Sequence, residues 1–177
     1  MDFSELLLKR RSVRSYKKEY IDDNIILEAI NDSLNCPSWK NYQVSRYYLI
    51  SSEESLKKMM LALPDFNQKN VLNAKLVVTT FVKNRSGFNK ETGVADNELG
   101  NGFGIYDLGL NNSYFILALK NRGLDSLIMG IRDESLLRSI CNIPQTEIIV
   151  SVIAVGYANE EPSIPKKKSA SDVTKVL

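Results

Sequence analysis

Two apolar runs restrict this chain more than any other feature: Leu76-Val77-Val78-Thr79-Thr80-Phe81-Val82 and Ile148-Ile149-Val150-Ser151-Val152-Ile153-Ala154-Val155. A strand with one wet face alternates apolar and polar side chains, and these runs do not. The first predicts a deeply buried strand over Lys75 to Lys83, the second a strand covered on both faces. Helices must supply the cover. The spacing predicts them over Ser4 to Lys9, from Asp22 or Asp23 to Asn35, and over Phe66 to Asn73. A capping-box pattern at Ser51-x-x-Glu54 opens another, running to Leu63 before Pro64. The longest spans Ile105 to Arg122 and is closed by Gly123, and Asp133 caps a last one ending near Cys141. Val44 to Ile50 adds a strand, and Asp125 to Met129 a short apolar segment. The result is one α+β domain over residues 1–177.

Two segments fall outside this pattern. Residues 84–104 hold five of the nine glycines and predict a long loop or lid. Residues 157–177, with Pro162, Pro165 and Lys166-Lys167-Lys168, have little core of their own and predict an arm lying on another subunit.

Composition excludes several kinds of function. A net charge of +2 gives no general affinity for polyanions, so a nucleic-acid-binding role is not expected. The chain has no histidine, which removes the commonest general base and metal ligand. Cys36 and Cys141 are far apart and read as reduced, buried residues of a cytoplasmic protein. No apolar run reaches the length of a membrane span, and the acidic start (Asp2, Glu5) does not read as a signal peptide.

The polar chemistry concentrates in two places. Arg10-Arg11-Ser12-Val13-Arg14 carries three guanidiniums and a hydroxyl, with residues 10, 12 and 14 on one side if the chain is extended. Guanidiniums fit phosphate bidentately, and a hydroxyl can donate to a remaining oxygen. A basic helix end explains the same residues equally well. Pro37-Ser38-Trp39-Lys40-Asn41-Tyr42-Gln43 sets a hydroxyl and two carboxamides at the mouth of a sheet. Such groups suit a heterocycle with alternating donors and acceptors, and they also suit a plain polar turn. The glycines at 100–104 do not follow a strand at GxGxxG spacing, which argues against a Rossmann nucleotide site.

In this order, Arg10–Tyr16 and Pro37–Gln43 resemble the opening motifs of the nitroreductase family of flavin enzymes. Further matches follow at Phe66-Asn67-Gln68-Lys69, Asp107-Leu108-Gly109, Gly123-Leu124-Asp125, Met129-Gly130 and Val155-Gly156-Tyr157, so the resemblance covers essentially the whole chain. It implies a mostly antiparallel central sheet flanked by helices, in an intertwined homodimer that holds FMN at the subunit interface. Arg10, Ser12 and Arg14 would bind the phosphate and ribityl chain with Arg11 close by, and Lys166 and Lys168 would close on the phosphate. Pro37, Ser38, Asn41 and Gln43 would reach the ring from the other subunit. Asn67 would meet the ring's pyrimidine edge, and Met129 and Gly130 would offer backbone N–H groups near the reactive nitrogen. The family reaction is a ping-pong transfer of hydride from NADH or NADPH to nitroaromatic, quinone or similar small acceptors, with no catalytic side chain and no metal required. Phe103 and Tyr106 are candidates for substrate contact. Trp39 suits either the flavin region or an interface.

Departures from the family pattern point another way. Val44-Ser45 stands where Pro-Trp is common, Asp125 where glycine is, Met129 where some members have glutamate, and Lys168 where arginine is usual. The 84–104 segment lacks the helical insertion of larger members. Those at Val44-Ser45 and Met129 leave open a flavin-binding carrier or sensor without turnover.

Overall fold

The computed structural model describes residues 2–177. The elements follow in the order α1 (Phe3–Lys9), α2 (Asp23–Ser33), β1 (Ser45–Ile50), α3 (Glu53–Met60), α4 (Asp65–Asn70), β2 (Lys75–Val82), α5 (Gly102–Asn121), β3 (Asp125–Met129), α6 (Glu134–Cys141), β4 (Glu147–Gly156) and α7 (Ala170–Val173). A 3-10 turn at Trp39–Asn41 precedes β1. The four strands form one sheet in the order β1-β2-β4-β3, antiparallel throughout.

The two apolar runs become the central pair, and each face of the sheet is covered separately. On one side Leu76, Val78, Val152 and Ala154 pack with residues of α3 and α6, with Val71 just after α4, and with Val13 and Tyr16. On the other, Val77, Ile153 and Val155 meet Ile26 of α2 and Phe115 and Leu119 of α5. A large apolar side chain removed from water contributes about 1.5–3 kcal/mol, so this pair carries most of the fold's cohesion. Cover on both faces holds over Ser151–Gly156; Ile148 and Val150 are only half-buried, in a smaller cluster with Val44, Phe81, Leu108, Tyr42 and Val82.

Local chemistry sets the boundaries. Asp2, Asp22, Ser52 and Asp133 each cap a helix by accepting a backbone N–H. The capping residue of α3 is therefore Ser52 rather than Ser51, whose hydroxyl instead donates to Asp23 at 2.5 Å. Gly123, at φ 83°, closes α5 with a backbone bond from Leu124 to Leu119. The helix begins at Gly102, three residues ahead of the expected start, and its first turn presses Gly104 onto the Phe81 ring. Segment 84–101 is not an open loop. A short hairpin pairs Phe88 with Ala95, and mutual Asn84–Asn101 bonds of 2.7 and 2.9 Å close its base.

No helix among the described residues is long and apolar enough to cross a membrane.

The Gly104–Phe81 contact yields the first prediction. A Cβ at residue 104 would collide with the ring. Gly104→Ala should cost about 1–3 kcal/mol in urea unfolding, and Phe81→Leu in the same chain should recover part of that loss. Unchanged stability in Gly104→Ala would show that α5 does not press on β2 there.

Candidate functional site

The first motif lies along the β3 edge. Ser12 bridges Ser126 in parallel, and the Val13 N–H donates to the Ser126 carbonyl at 3.1 Å. This extended path turns Val13 inward, 1% exposed, as an anchor in the core. Alternation then puts Arg10, Ser12 and Arg14 on the opposite side. Arg11 parts from them: with Val13 it lines a cavity that also holds Lys9, Lys120, Asp125 and Glu160. Tyr16 secures the segment. Its ring packs on Gly156, where a Cβ would stand 2.7 Å away, and its hydroxyl donates to the Val13 carbonyl at 2.8 Å. Burial pushes the Tyr16 phenol far above its ordinary pKa, so the hydroxyl remains a donor.

The chain after β4 returns to this segment. Tyr16 pairs with Ala158, Asn159 donates to the Ser15 carbonyl at 2.9 Å, and the Glu160 carboxylate accepts the Arg14 N–H. Glu160 had no signal in the sequence, since 146 residues separate it from Arg14. Lys166, Lys167 and Lys168 are exposed, and none makes an ion pair or hydrogen bond among the described residues. The arm ahead of them does reach the first motif: Glu161, Pro162 and Ile164 line the same cavity as Arg11.

β3 continues from Ser126 to Met129, a run of about 10 Å, with Gly130 next in the chain. The Met129 side chain is 3% exposed and belongs to the core, so this position offers backbone and not a side chain. Asn67 on α4 is buried, and its carboxamide makes no hydrogen bond among the described residues.

The second motif has an unusual backbone. Lys40, Asn41 and Gln43 have φ of 48°, 57° and 48°, left-handed values that non-glycine residues adopt at a cost. Ser38 Oγ accepts the Gln43 N–H at 3.1 Å, Gln43 Nε2 donates to Asn41 Oδ1 at 3.1 Å, and Arg46 Nη1 donates to the Gln43 carbonyl at 2.9 Å. Pro37, Asn41 and Gln43 are exposed and Ser38 half-buried, so the motif presents its polar groups outward. Val44 and Ser45, the departures in its wake, are buried.

Asp107, 3% exposed, is the residue that holds this region together. Its Oδ2 accepts the Trp39 N–H at 3.0 Å and the Ser86 hydroxyl at 2.5 Å, tying α5, the second motif and the 84–101 segment to one carboxylate. The sequence marked it only as the first residue of the Asp107-Leu108-Gly109 match, without its partners. Trp39 packs on Phe103 with centroids 4.5 Å apart and ring planes tilted by 57°, and Phe103 meets Tyr106 at 6.1 Å. Below them Tyr47 donates to Asn111, and burial raises its phenol well above the usual pKa. Burial likewise pushes the Cys36 thiol up, away from the reactive thiolate.

The two motifs do not meet within one chain. They lie beyond opposite edge strands, and Ser45 aligns through Phe81 with Ile148 while Ser126 aligns with Val155 at the other end. Three strand spacings and six residues of strand put them about 25 Å apart on the diagonal of the sheet.

Residues 7–157 match the nitroreductase family, and the chain belongs to it. A proposed NADH dehydrogenase/NAD(P)H nitroreductase of Archaeoglobus fulgidus is 25% identical over 164 residues, covering 89% of this chain and 86% of its own. A nitroreductase family protein from Streptococcus pneumoniae superposes with a TM-score of 0.87 at 17% identity, over 99% of this chain and 100% of its own. A proposed nitroreductase of Exiguobacterium sibiricum, solved in complex with FMN, also reaches 0.87 at 17% identity, covering 100% of this chain and 98% of its own.

Asp107→Ala strips two donors of their acceptor and should cost about 1.5–3 kcal/mol. Trp39 is the only tryptophan, so its emission should shift to the red in the folded variant. Native emission and native stability together would remove Asp107 from this role.

Proposed function

We propose that this chain is an FMN-dependent oxidoreductase that works as a homodimer, passing hydride from NADH or NADPH to small oxidising acceptors of the nitroaromatic or quinone type. The diagonal separation of the two motifs carries this reading. In a two-fold dimer, the first motif of one subunit faces the second motif of its partner, and two such sites arise by symmetry. Exposed apolar residues support that association: Ile105, Tyr106 and Tyr114 along α5, and Leu7 and Leu8 on α1.

The donor set fits FMN. Arg10, Ser12 and Arg14 would hold the phosphate through charge-assisted bonds, and β3 would lead the cofactor toward Met129 and Gly130. The backbone N–H groups there would face the ring, with Asn67 at its edge. Ser38, Asn41 and Gln43 of the second motif would meet the ring from the partner subunit, beside Pro37. Bound FMN supplies the hydride chemistry, with donor and acceptor using the site in turn. The protein's task is to bind, orient and limit access. The aromatic group of Trp39, Phe103 and Tyr106 would form the wall against which the acceptor rests. The arm would bring Lys166 and Lys168 to the phosphate once it lies along the dimer.

The burial of the departing residues supports turnover over the carrier reading. Met129, Val44 and Ser45 are buried, which speaks against their side chains forming the face on which an acceptor rests.

Two measurements test this reading. The purified protein should be yellow, and NADH or NADPH added without oxygen should bleach it; bands that persist with both nucleotides would leave a binder without turnover. Arg10→Ala and Arg14→Ala should each weaken FMN binding by about 1.5–3 kcal/mol, roughly tenfold to a hundredfold. Unchanged flavin affinity in both would remove the phosphate assignment.

A further inference from the structure

At the β1 edge, outside the groups assigned to FMN, a cleft of about 340 Å³ is lined by Tyr42, Val44, Arg46, Val82, Arg85 and Lys90. Three of these six residues are cations and none is acidic. The lining also has an apolar side, with a half-buried tyrosine ring and two valines. None of the three cations takes part in an ion pair among the described residues. Asp96, the acid that bonds across to the second motif, is engaged by Lys40 at 3.3 Å.

Like charges gathered around one cleft repel each other, and a folded chain keeps them there at a cost unless an anion occupies the space. Arg46 is also fixed in place. Its Nη1 donates to the Gln43 and Ser45 carbonyls at 2.9 and 2.8 Å, so its guanidinium is oriented before any ligand arrives. Those bonds attach the cleft to the second motif, the part assigned above to the partner's flavin ring. Arg85 and Lys90 come from the hairpin segment, whose base Asn84, Asn101 and Ser86 fasten to α5.

We propose that this cleft is a phosphate-ester site and that, resting on the function proposed above, its ligand is the 2′-phosphate end of NADPH. Guanidiniums grip phosphate oxygens in pairs, and a lysine adds a point charge. Tyr42 offers a flat surface for a purine. A volume of about 340 Å³ suits one phosphorylated nucleoside rather than a whole dinucleotide. The chain would then favour NADPH over NADH through residues remote from the reacting atoms.

Arg85→Ala/Lys90→Ala tests this, because both side chains are exposed and their loss leaves the fold intact. Calorimetric titration with 2′-AMP and with inorganic phosphate at low ionic strength needs no flavin. Binding in the parent protein should weaken about tenfold or more in the double variant, and should weaken with added salt. Absence of binding by both probes, or equal binding in the variant, overturns the site. The source of the phosphate is read from kinetics. KM for NADPH should rise about tenfold in the variant while KM for NADH and kcat stay unchanged. If calorimetric binding is lost but both KM values hold, the cleft takes free phosphate and the NADPH assignment is overturned. A colourless protein that still binds 2′-AMP would refute the flavin reading and leave the phosphate site standing.

Discussion

The antiparallel pairing of β2 with β4 is the constraint on which the rest depends. Because helices cover both faces of that pair, the polar chemistry of the chain is displaced to the edges of the sheet. β3 and the first motif occupy one edge, β1 and the second motif the other. Burial therefore does more than stabilise: it holds the two polar motifs apart. The two-fold association proposed above would bring them together without any change in the fold.

Each edge is held by one well-buried feature. On the β3 edge, Val13 and Tyr16 fix the arginine segment, and the Val13–Ser126 backbone bond sets which arginines face outward. On the β1 edge, Asp107 holds the backbone of Trp39 while Ser38 and Arg46 brace a run of left-handed residues. Three non-glycine residues with positive φ within four positions are strain that the surroundings must compensate. That the strain falls on the segment presenting Asn41 and Gln43 agrees with a binding role for it.

Much of this was legible in the sequence because it rests on local rules. Uninterrupted apolar runs mark buried strands, and Asp22, Asp133 and Gly123 mark helix ends, and all appear close to where they were expected. The α3 cap slipped by one residue because Ser51 found Asp23 across the fold, a partner no local pattern reveals. The 84–101 segment read as open, since its Asn84–Asn101 clasp and the Ser86–Asp107 bond depend on where α5 passes. Met129 and Val44-Ser45 read as departures that left open a flavin binder without turnover, whereas the fold buries all three. The same limit hid Glu160, which reaches Arg14 only after β4 has returned beside the first motif.

The central claim is that each site is built from the first motif of one subunit and the second motif of the other. Mixing two flavin-deficient variants tests it directly. Arg10→Ala/Arg14→Ala chains and Ser38→Ala/Asn41→Ala chains would be unfolded and refolded together, and bound FMN measured by its visible absorbance. With random pairing, half of the dimers are mixed and each mixed dimer has one intact site, so FMN should return to about a quarter of all sites. No recovery, with both variants folded and dimeric, would mean that the two motifs serve the same subunit's site, contradicting the account.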